Sequence, residues 1–416
     1  MPKIPPFHYG FIIVILSFLI TAIGLGSINA FGVFLEPIID EFGWTRSAVS
    51  ASFSLSTLMG GIFGVIAGRL TDKFGPRLIL TVSALFLGLG HLLMPLIQSP
   101  WQMYIVYGVL GGIGTAGAVV PISSTAIRWF ARRRALVVGI ISSGMSVGTI
   151  ITSQLAGWLI SISDWRFTFI VMGIINLVLV GVCAQFLKRD PQSNGQQPYG
   201  EAEQQTNISL QIANTGDSLR QALSKVQFWL FFFANVLATM SIFTVISHIV
   251  IHARGLDISN TAAVSLLSFL SITSIISRMV MGSVADRIGN RVTITMGMLL
   301  IFISMIWLNF STNYWMLVLF TLVFGFAWGT FFVPVTPLAA ELFGVKSIGM
   351  IFGVLNLSIT IGATVAPTLA GYIYDVQQSY RLDFILLAAF AFVAVILMLV
   401  LGQIQKVKRK PESTGN

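Results

Sequence analysis

Charged residues divide the chain into long uncharged runs, and the lengths of these runs predict the secondary structure. A helix needs about 20 apolar residues to cross the hydrocarbon core of a bilayer. Eight uncharged runs have the length of a single crossing: 4–35, 47–68, 135–163, 167–187, 226–253, 258–277, 347–374 and 384–405. Each of these runs predicts one membrane-spanning helix.

Two further runs, 78–127 and 292–340, are each roughly twice as long as one crossing. A turn sequence lies near the middle of each run: Gln98-Ser99-Pro100 in the first and Ser311-Thr312-Asn313 in the second. Each long run is therefore expected to form two helices. We predict an all-α membrane protein with twelve spans, numbered here in chain order.

The composition supports this prediction. The chain is 55% hydrophobic and only 9% charged, whereas roughly 25% of the residues of a soluble domain are charged. Cys183 is the only cysteine, which excludes an internal disulfide. The sequence shows no metal-ligand cluster, nucleophile motif or phosphate-binding loop, so we expect no metal, no cofactor and no enzymatic activity.

Basic residues predict the orientation of the spans. With the N-terminus inside the cell, nineteen Lys and Arg residues fall in inside segments and four in outside loops. The positive-inside rule then places both termini in the cytoplasm of a multi-pass cell-membrane protein. Anionic lipid headgroups account for the net charge of +9, and no nucleic-acid partner is needed.

The spans fall into two groups of six. Residues 1–188 form a predicted N-terminal bundle, 189–226 a polar linker rich in Gln, Asn, Ser and Gly, 227–405 a C-terminal bundle, and 406–416 a cytoplasmic tail. The linker composition predicts a flexible chain, with a short amphipathic helix near 217–225.

The two halves repeat each other. The segment GRLTDKFGPR at 68–77 corresponds to GSVADRIGNR at 282–291, and Trp165-Arg166 with Phe169 corresponds to Tyr380-Arg381 with Phe384. The offsets are 214 and 215 residues. These matches predict an internal duplication that gives two pseudo-symmetric bundles, as in transporters that rock two bundles about a central site.

The repeated segment resembles the signature loop of the major facilitator superfamily, which implies the major facilitator fold. The resemblance also implies a gating role for five residues of the two copies: Gly68, Asp72, Arg77, Asp286 and Arg287. An aspartate here can accept hydrogen bonds from a helix N-terminus or an arginine. The alternative is a solvated turn whose basic residues face lipid headgroups.

Other segments resemble the monocarboxylate porters. They are FGVFLEPIIDEFGWTR at 31–46, RWFARRR at 128–134, and Arg278, where those porters carry an arginine that binds the substrate carboxylate. The chain departs from the animal members at two positions. Ser274 replaces an acidic residue one turn before the arginine, and Asn29 aligns near a lysine of span 1.

Arg278 is also the strongest site candidate on physical grounds. An arginine within a span costs several kcal/mol unless it faces a polar cavity or a partner. A planar guanidinium suits bidentate binding of a carboxylate. The alternative is a side chain that extends to the cytoplasmic interface, since Arg278 lies four residues before Gly282.

Five polar or aromatic residues complete the candidates. Asn29, Ser143, Trp328 and Asn356 are predicted to contribute to substrate binding, and His248 to carry a coupling proton. Helix packing is the alternative for each of the four, and an ordinary interfacial histidine for His248.

We therefore expect a secondary active transporter that moves a small, monocarboxylate-like organic anion by alternating access, with a proton as the co-transported ion. Its partners would be that small molecule and the lipid bilayer, and we expect a monomer. Two alternatives remain: an exporter of amphipathic compounds and a nutrient sensor with a transporter fold. Drug/proton antiporters usually have Gly-Pro in span 5, where this chain has Gly144-Met145, which disfavours export.

Overall fold

A computed structural model describes residues 8–200, 216–377 and 379–409. Within these ranges every regular element is a helix. Twelve helical stretches of this described part are long and apolar enough to span a membrane, as the uncharged runs predicted: Gly10–Phe42, Ala48–Phe74, Pro76–Leu96, Pro100–Trp129, Arg134–Ile162, Trp165–Gln185, Val226–Arg254, Ser265–Ile288, Asn290–Asn309, Tyr314–Phe343, Ile348–Tyr374 and Arg381–Ile404.

The contacts divide the chain into two compact units. Unit 1 comprises 1–216 together with Phe343–Asn356, and unit 2 comprises 217–342 together with 357–416. The sequence boundary at 216 falls inside the predicted linker. Unit 1 also includes a segment from the second half of the sequence, which contains the first residues of span 11.

The two signature loops fold in the same way, as expected for a duplication. Span 2 ends at Gly75 (φ +84°) and span 8 ends at Gly289 (φ +96°). The amides of these glycines donate to the carbonyls of Thr71 and Ala285, each four residues earlier. Glycine adopts these dihedral angles without the steric cost that a side chain would add.

Small residues allow close helix contacts in both units. In unit 1 a Cβ added at Gly148 of span 5 would lie 1.9 Å from the carbonyl oxygen of Ala22 in span 1. In unit 2 a Cβ added at Gly325 of span 10 would lie 2.3 Å from the carbonyl oxygen of Leu270 in span 8. The small residues of span 5 thus serve close packing, as is common between membrane helices.

Several spans are not regular α-helices. Span 1 consists of two helices, Gly10–Asn29 and Gly32–Phe42. Spans 4 and 6 contain π-helical segments at Tyr104–Leu110 and Asn176–Val180. The sequence pattern did not predict these interruptions, because a π-helical segment changes the hydrogen-bond register without changing composition.

Part of the predicted linker is bound to unit 1. The Tyr199 amide donates to the Trp129 carbonyl (2.9 Å). The Tyr9 amide donates to the Gln196 side chain (3.0 Å). Residues 201–215 lie outside the described ranges. After them comes a short helix, Leu219–Leu223, where the sequence predicted one.

Candidate functional site

Arg278 lies inside unit 2, between spans 8 and 10. Only 1% of the residue is exposed. Its guanidinium carbon lies 5.2 Å from the ring centroid of Trp328 and 5.6 Å from that of Phe332. These are cation–π distances, and such contacts stabilise a desolvated cation by about 2 kcal/mol. The sequence predicted a substrate-binding role for Arg278 and for Trp328 on separate grounds, and the structure places the two side chains in contact.

Span packing explains this placement. A Cβ added at Gly329 would lie 2.6 Å from the Ser274 carbonyl oxygen, so the backbones of spans 8 and 10 approach closely there. The Ser277 hydroxyl, next to Arg278, donates to the Phe326 carbonyl (2.6 Å). Trp328 is thereby held beside the guanidinium.

Two further buried polar groups belong to the same pair of spans. Ser274, one turn before Arg278, is fully buried, and its hydroxyl has no hydrogen-bond partner within the described residues. The indole N–H of Trp328 is likewise buried without an acceptor there. An indole N–H and a guanidinium can only donate, whereas a hydroxyl can donate or accept. The chemistry around Arg278 is therefore suited to a ligand that supplies acceptor oxygens.

The other three predicted substrate residues belong to unit 1. The Asn29 amide is exposed and donates to the Thr149 hydroxyl at 3.4 Å. The buried Ser143 hydroxyl donates to the Ile140 carbonyl of its own helix (2.7 Å). Asn356 is half-buried beside Gly64 of span 2. The structure does not gather these three side chains into one cluster within unit 1.

His248 has a defined partner on each ring nitrogen, both in unit 2. Its Nε2 lies 3.0 Å from the Pro367 carbonyl oxygen, and its Nδ1 lies 3.0 Å from the Tyr380 hydroxyl. A carbonyl only accepts, so Nε2 carries the proton and Nδ1 of the neutral ring accepts from Tyr380. A protonated ring would instead donate to the Tyr380 oxygen. The same geometry serves both protonation states.

The match between Trp165-Arg166 and Tyr380-Arg381 in the two halves explains the position of Tyr380. Its counterpart in unit 1, Trp165, donates from its indole to Glu41 (2.7 Å). The neighbouring Arg166 forms an ion pair with Glu41 (2.5 Å) and lies over the Trp165 ring. Glu41, near the end of segment 31–46, therefore binds two residues at the start of span 6, and this gives the segment a structural role. In unit 2 the corresponding aromatic residue, Tyr380, forms a hydrogen bond with His248 instead.

Asp72 and its partners form a cluster in unit 1, which we call the Asp72 cluster: Asp72, Arg128, Gly349 and Met350. Oδ1 of Asp72 accepts from the Gly349 amide (3.1 Å) and Oδ2 from the Met350 amide (2.9 Å), at the start of span 11. Arg128 also donates to Oδ1 (2.9 Å). A carboxylate at a helix N-terminus is stabilised by the backbone amides and the helix dipole.

Gly68 makes this approach possible. A Cβ added there would lie 2.1 Å from the Gly349 carbonyl oxygen. Arg77 does not join the cluster, because its Nε donates to Gln185 at the end of span 6 (2.8 Å). The second-half residues Asp286 and Arg287 are exposed and belong to unit 2. Of the five predicted gating residues, Gly68 and Asp72 are thus brought together.

Arg128 was not predicted as a functional residue. It bonds Asp72 on one side and Asp190 on the other (3.3 Å). The sequence signal was present in the basic segment 128–134, but this segment alone does not indicate which arginine meets Asp72. Within the described part of the chain no group of three or more His, Cys, Asp or Glu residues could hold a metal ion.

Twelve spans, a duplicated signature loop and a charged Asp72 cluster define the class of the protein as a membrane transporter. The sequence model of the family described as Major Facilitator Superfamily matches residues 14–276 and 231–416 of this chain. The chain belongs to this superfamily. Its members are transporters and not enzymes, which confirms the fold and class predicted from the signature loop.

Named relatives cover most of the chain. Monocarboxylate transporter 13 of Bos taurus is 25% identical over 393 residues, which is 93% of this chain and 88% of that protein. The resemblance to monocarboxylate porters is therefore confirmed. Agnestins efflux protein AgnL12 of Paecilomyces divaricatus is also 25% identical, over 86% of this chain and 79% of that protein.

A solved structure has the same fold. The proton:xylose symporter XylE, bound to 6-bromo-6-deoxy-D-glucose, superposes with a TM-score of 0.77. The sequence identity is 16%, and the match covers 94% of this chain and 95% of XylE. At this identity the similarity concerns the fold alone.

Proposed function

We propose that the protein is a secondary active transporter of a small organic carboxylate, with Arg278 as the residue that binds the carboxylate group. The observation that carries this proposal is the buried guanidinium packed against the Trp328 ring, together with two buried groups that have no hydrogen-bond partner within the described residues: the Ser274 hydroxyl one turn earlier and the Trp328 indole N–H. A carboxylate supplies the acceptor oxygens that these groups can bind. Relatives named monocarboxylate transporters support the same substrate class.

The Trp328 and Phe332 rings suggest the form of the substrate. They cover the guanidinium with apolar surface, so the site combines one charged group with aromatic walls. Binding sites for small molecules commonly have this character, with few polar groups in a mostly apolar lining. We propose a monocarboxylate with a short apolar tail rather than a polyhydroxylated acid.

A ligand screen tests this proposal directly. Purified protein is heated in the presence of individual organic acids and their neutral methyl esters, and unfolding is followed by fluorescence. A ligand that binds only the folded state adds about 2.7 kcal/mol of stability at one hundred times its Kd. We expect stabilisation by a subset of monocarboxylates and none by their esters. Equal stabilisation by acid and ester would contradict carboxylate recognition.

Export of small molecules is a second candidate, favoured by the relative named as an efflux protein. The two directions are separable in proteoliposomes that contain protein of one orientation. We expect an inward proton gradient to drive the acid inward from the predicted outer side. Drive only in the opposite direction, with substrate expelled against entering protons, would favour the exporter.

We propose that His248 carries the coupling proton, because its two hydrogen-bond partners accommodate both protonation states. His248→Gln should abolish the stimulation of uptake by a proton gradient and preserve exchange of substrate between the two sides. His252→Gln is the matched control, because His252 lies one turn later and its Nε2 has no hydrogen-bond partner within the described residues. Unchanged gradient stimulation in His248→Gln would exclude this role.

The proposed orientation has its own test. In a variant without Cys183, single cysteines at Gln192 and Thr312, both exposed, are labelled with an impermeant maleimide. Gln192 lies on the predicted cytoplasmic side, and Thr312 lies in a predicted outside loop. We expect intact cells to label only the cysteine at 312, and inside-out vesicles only that at 192. The reverse pattern would invert the orientation derived from the basic residues.

A further inference from the structure

Unit 1 contains a basic cavity beside the Asp72 cluster. Its volume is about 420 Å³, and five of the residues that line it are basic: Arg69, Lys73, Arg128, Arg189 and Lys346. Asp72 is the acidic residue of the lining. These residues come from spans 2 and 4, from the end of span 6, and from the segment before span 11.

The acidic groups do not neutralise this cavity. Asp72 is already occupied by two backbone amides and by Arg128. Asp190 forms ion pairs with Arg128 (3.3 Å) and Arg189 (3.2 Å). Even when Asp190 is counted, three positive charges are in excess. Within the described residues, Arg69, Lys73 and Lys346 form no ion pair.

Such a surplus of positive charge is costly unless an anion reduces it. Each pair of like charges held near a protein surface repels, and a confined cleft strengthens the potential. Arginine and lysine side chains together bind phosphate oxygens, arginine through its planar fork and lysine as a point charge. The volume accommodates a phosphate group with its first substituents.

We propose that this cavity binds a phosphate-bearing anion on the predicted cytoplasmic face. The shared chemistry is a phosphate monoester or diester, and it has two possible sources: the headgroup of an anionic phospholipid and a soluble phosphate. Basic pockets at the cytoplasmic ends of membrane helices suit the first source. The proposal is independent of the substrate that Arg278 binds.

The site also has a consequence for the Asp72 cluster. Arg128 lines the cavity and bonds Asp72, while Lys346 lines it and supplies a backbone carbonyl that accepts from Arg128 (3.4 Å). A bound anion would therefore join segment 343–350 more firmly to spans 2 and 4. A ligand that binds only this arrangement increases its population. Occupancy should slow transport if the cluster has to open in each cycle.

The test uses the full chain, first in detergent without added lipid and then in phosphatidylcholine nanodiscs. Inorganic phosphate is titrated at constant ionic strength against chloride in the first arm. The second arm compares nanodiscs with and without phosphatidic acid. Thermal unfolding reports occupancy in both arms. We expect stabilisation by phosphate, by phosphatidic acid, or by both, which identifies the source.

The pocket variant is Lys73→Gln with Lys346→Gln. Both side chains are exposed and make no ion pair within the described residues, so the fold should survive. The matched control is Arg132→Gln with Arg220→Gln, which removes the same charge from exposed positions outside the cavity. We expect the apparent Kd to rise at least tenfold in the pocket variant only. An equal rise of the apparent Kd in both variants would overturn the proposal. So would the absence of stabilisation of the parent protein by either probe.

Discussion

Asp72→Asn should slow transport by one to two orders of magnitude and leave substrate affinity nearly unchanged. The carboxylate accepts three hydrogen bonds, two from backbone amides and one from Arg128. Asparagine has one acceptor oxygen, and its NH₂ group would face a donor. Loss of one hydrogen bond to a charged group costs about 1.5–3 kcal/mol, and each 1.4 kcal/mol lowers the population of the conformation that the cluster stabilises tenfold. A transport cycle that has to pass through this conformation is then slower. The measurements are initial uptake rates and equilibrium binding.

Asp286→Asn provides the matched comparison. It makes the same chemical change in the second copy of the signature loop, where Asp286 is exposed. We expect a clearly smaller effect on rate. If Asp72→Asn abolished binding in a folded protein, or transported at the parental rate, the proposed gating role would be wrong. An equal loss of rate in both variants would indicate a general effect of the negative charge.

The spans and the duplication could be predicted from the sequence because both are local properties. An uncharged run long enough to cross a membrane is visible without coordinates, and the turn residues at 98–100 and 311–313 locate the breaks in the two long runs. Gly75 and Gly289 were matched by register alone, and the structure gives them nearly the same φ angles. Backbone requirements of this kind constrain residue identity strongly.

Partnerships between distant residues could not be predicted. Asp72 meets amides that lie 277 and 278 residues away in sequence, and His248 meets a hydroxyl 132 residues away. Hydrophobic periodicity shows that a segment is helical but does not give the rotation of one helix against another. The duplication did match Tyr380 to Trp165 in sequence register, and this equivalence was a usable signal for an aromatic contact at the start of span 12.

Polar residues within spans were the least predictable. Serine can satisfy its hydroxyl on the preceding turn of its own helix, and Ser143 does so. Ser274, on the other hand, stands out in the sequence only as a departure from an acidic residue, yet its buried hydroxyl has no hydrogen-bond partner within the described residues. Residue type is the same in both cases. Only the surrounding backbone determines whether a serine hydroxyl is bonded within its own helix or is available to a ligand.

Arg278→Lys should raise the Michaelis constant for a carboxylate substrate roughly ten- to one-hundredfold. Lysine keeps the positive charge but loses the planar fork that binds two oxygens at once. The loss corresponds to about 1.5–3 kcal/mol, the range of a hydrogen bond to a charged group. Lysine also forms a different contact with the Trp328 and Phe332 rings, because its charge is compact and strongly hydrated. Uptake at varied substrate concentration and matched surface abundance gives the constant.

Arg278→Ala separates recognition from folding. We expect it to abolish uptake of the acid found in the ligand screen, because the guanidinium that binds the carboxylate is removed. Thermal unfolding of the variant without ligand reports the structural cost of removing a buried side chain. Arg254 is an exposed basic residue at the end of span 7. Its substitution Arg254→Lys is the control for a general effect of changing a basic residue in unit 2.

The alternative role for Arg278 is structural, and it predicts a different pattern. An arginine that only stabilises the packing of spans 8 and 10 would lower stability or expression when replaced, with the Michaelis constant unchanged. Trp328→Phe sharpens the distinction, because it keeps an aromatic ring beside the guanidinium and removes the indole N–H donor. Carboxylate binding predicts a higher Michaelis constant for this variant at nearly constant stability. Equal transport by Arg278→Lys and the parent protein would exclude carboxylate binding at Arg278 and leave the transporter fold unaffected.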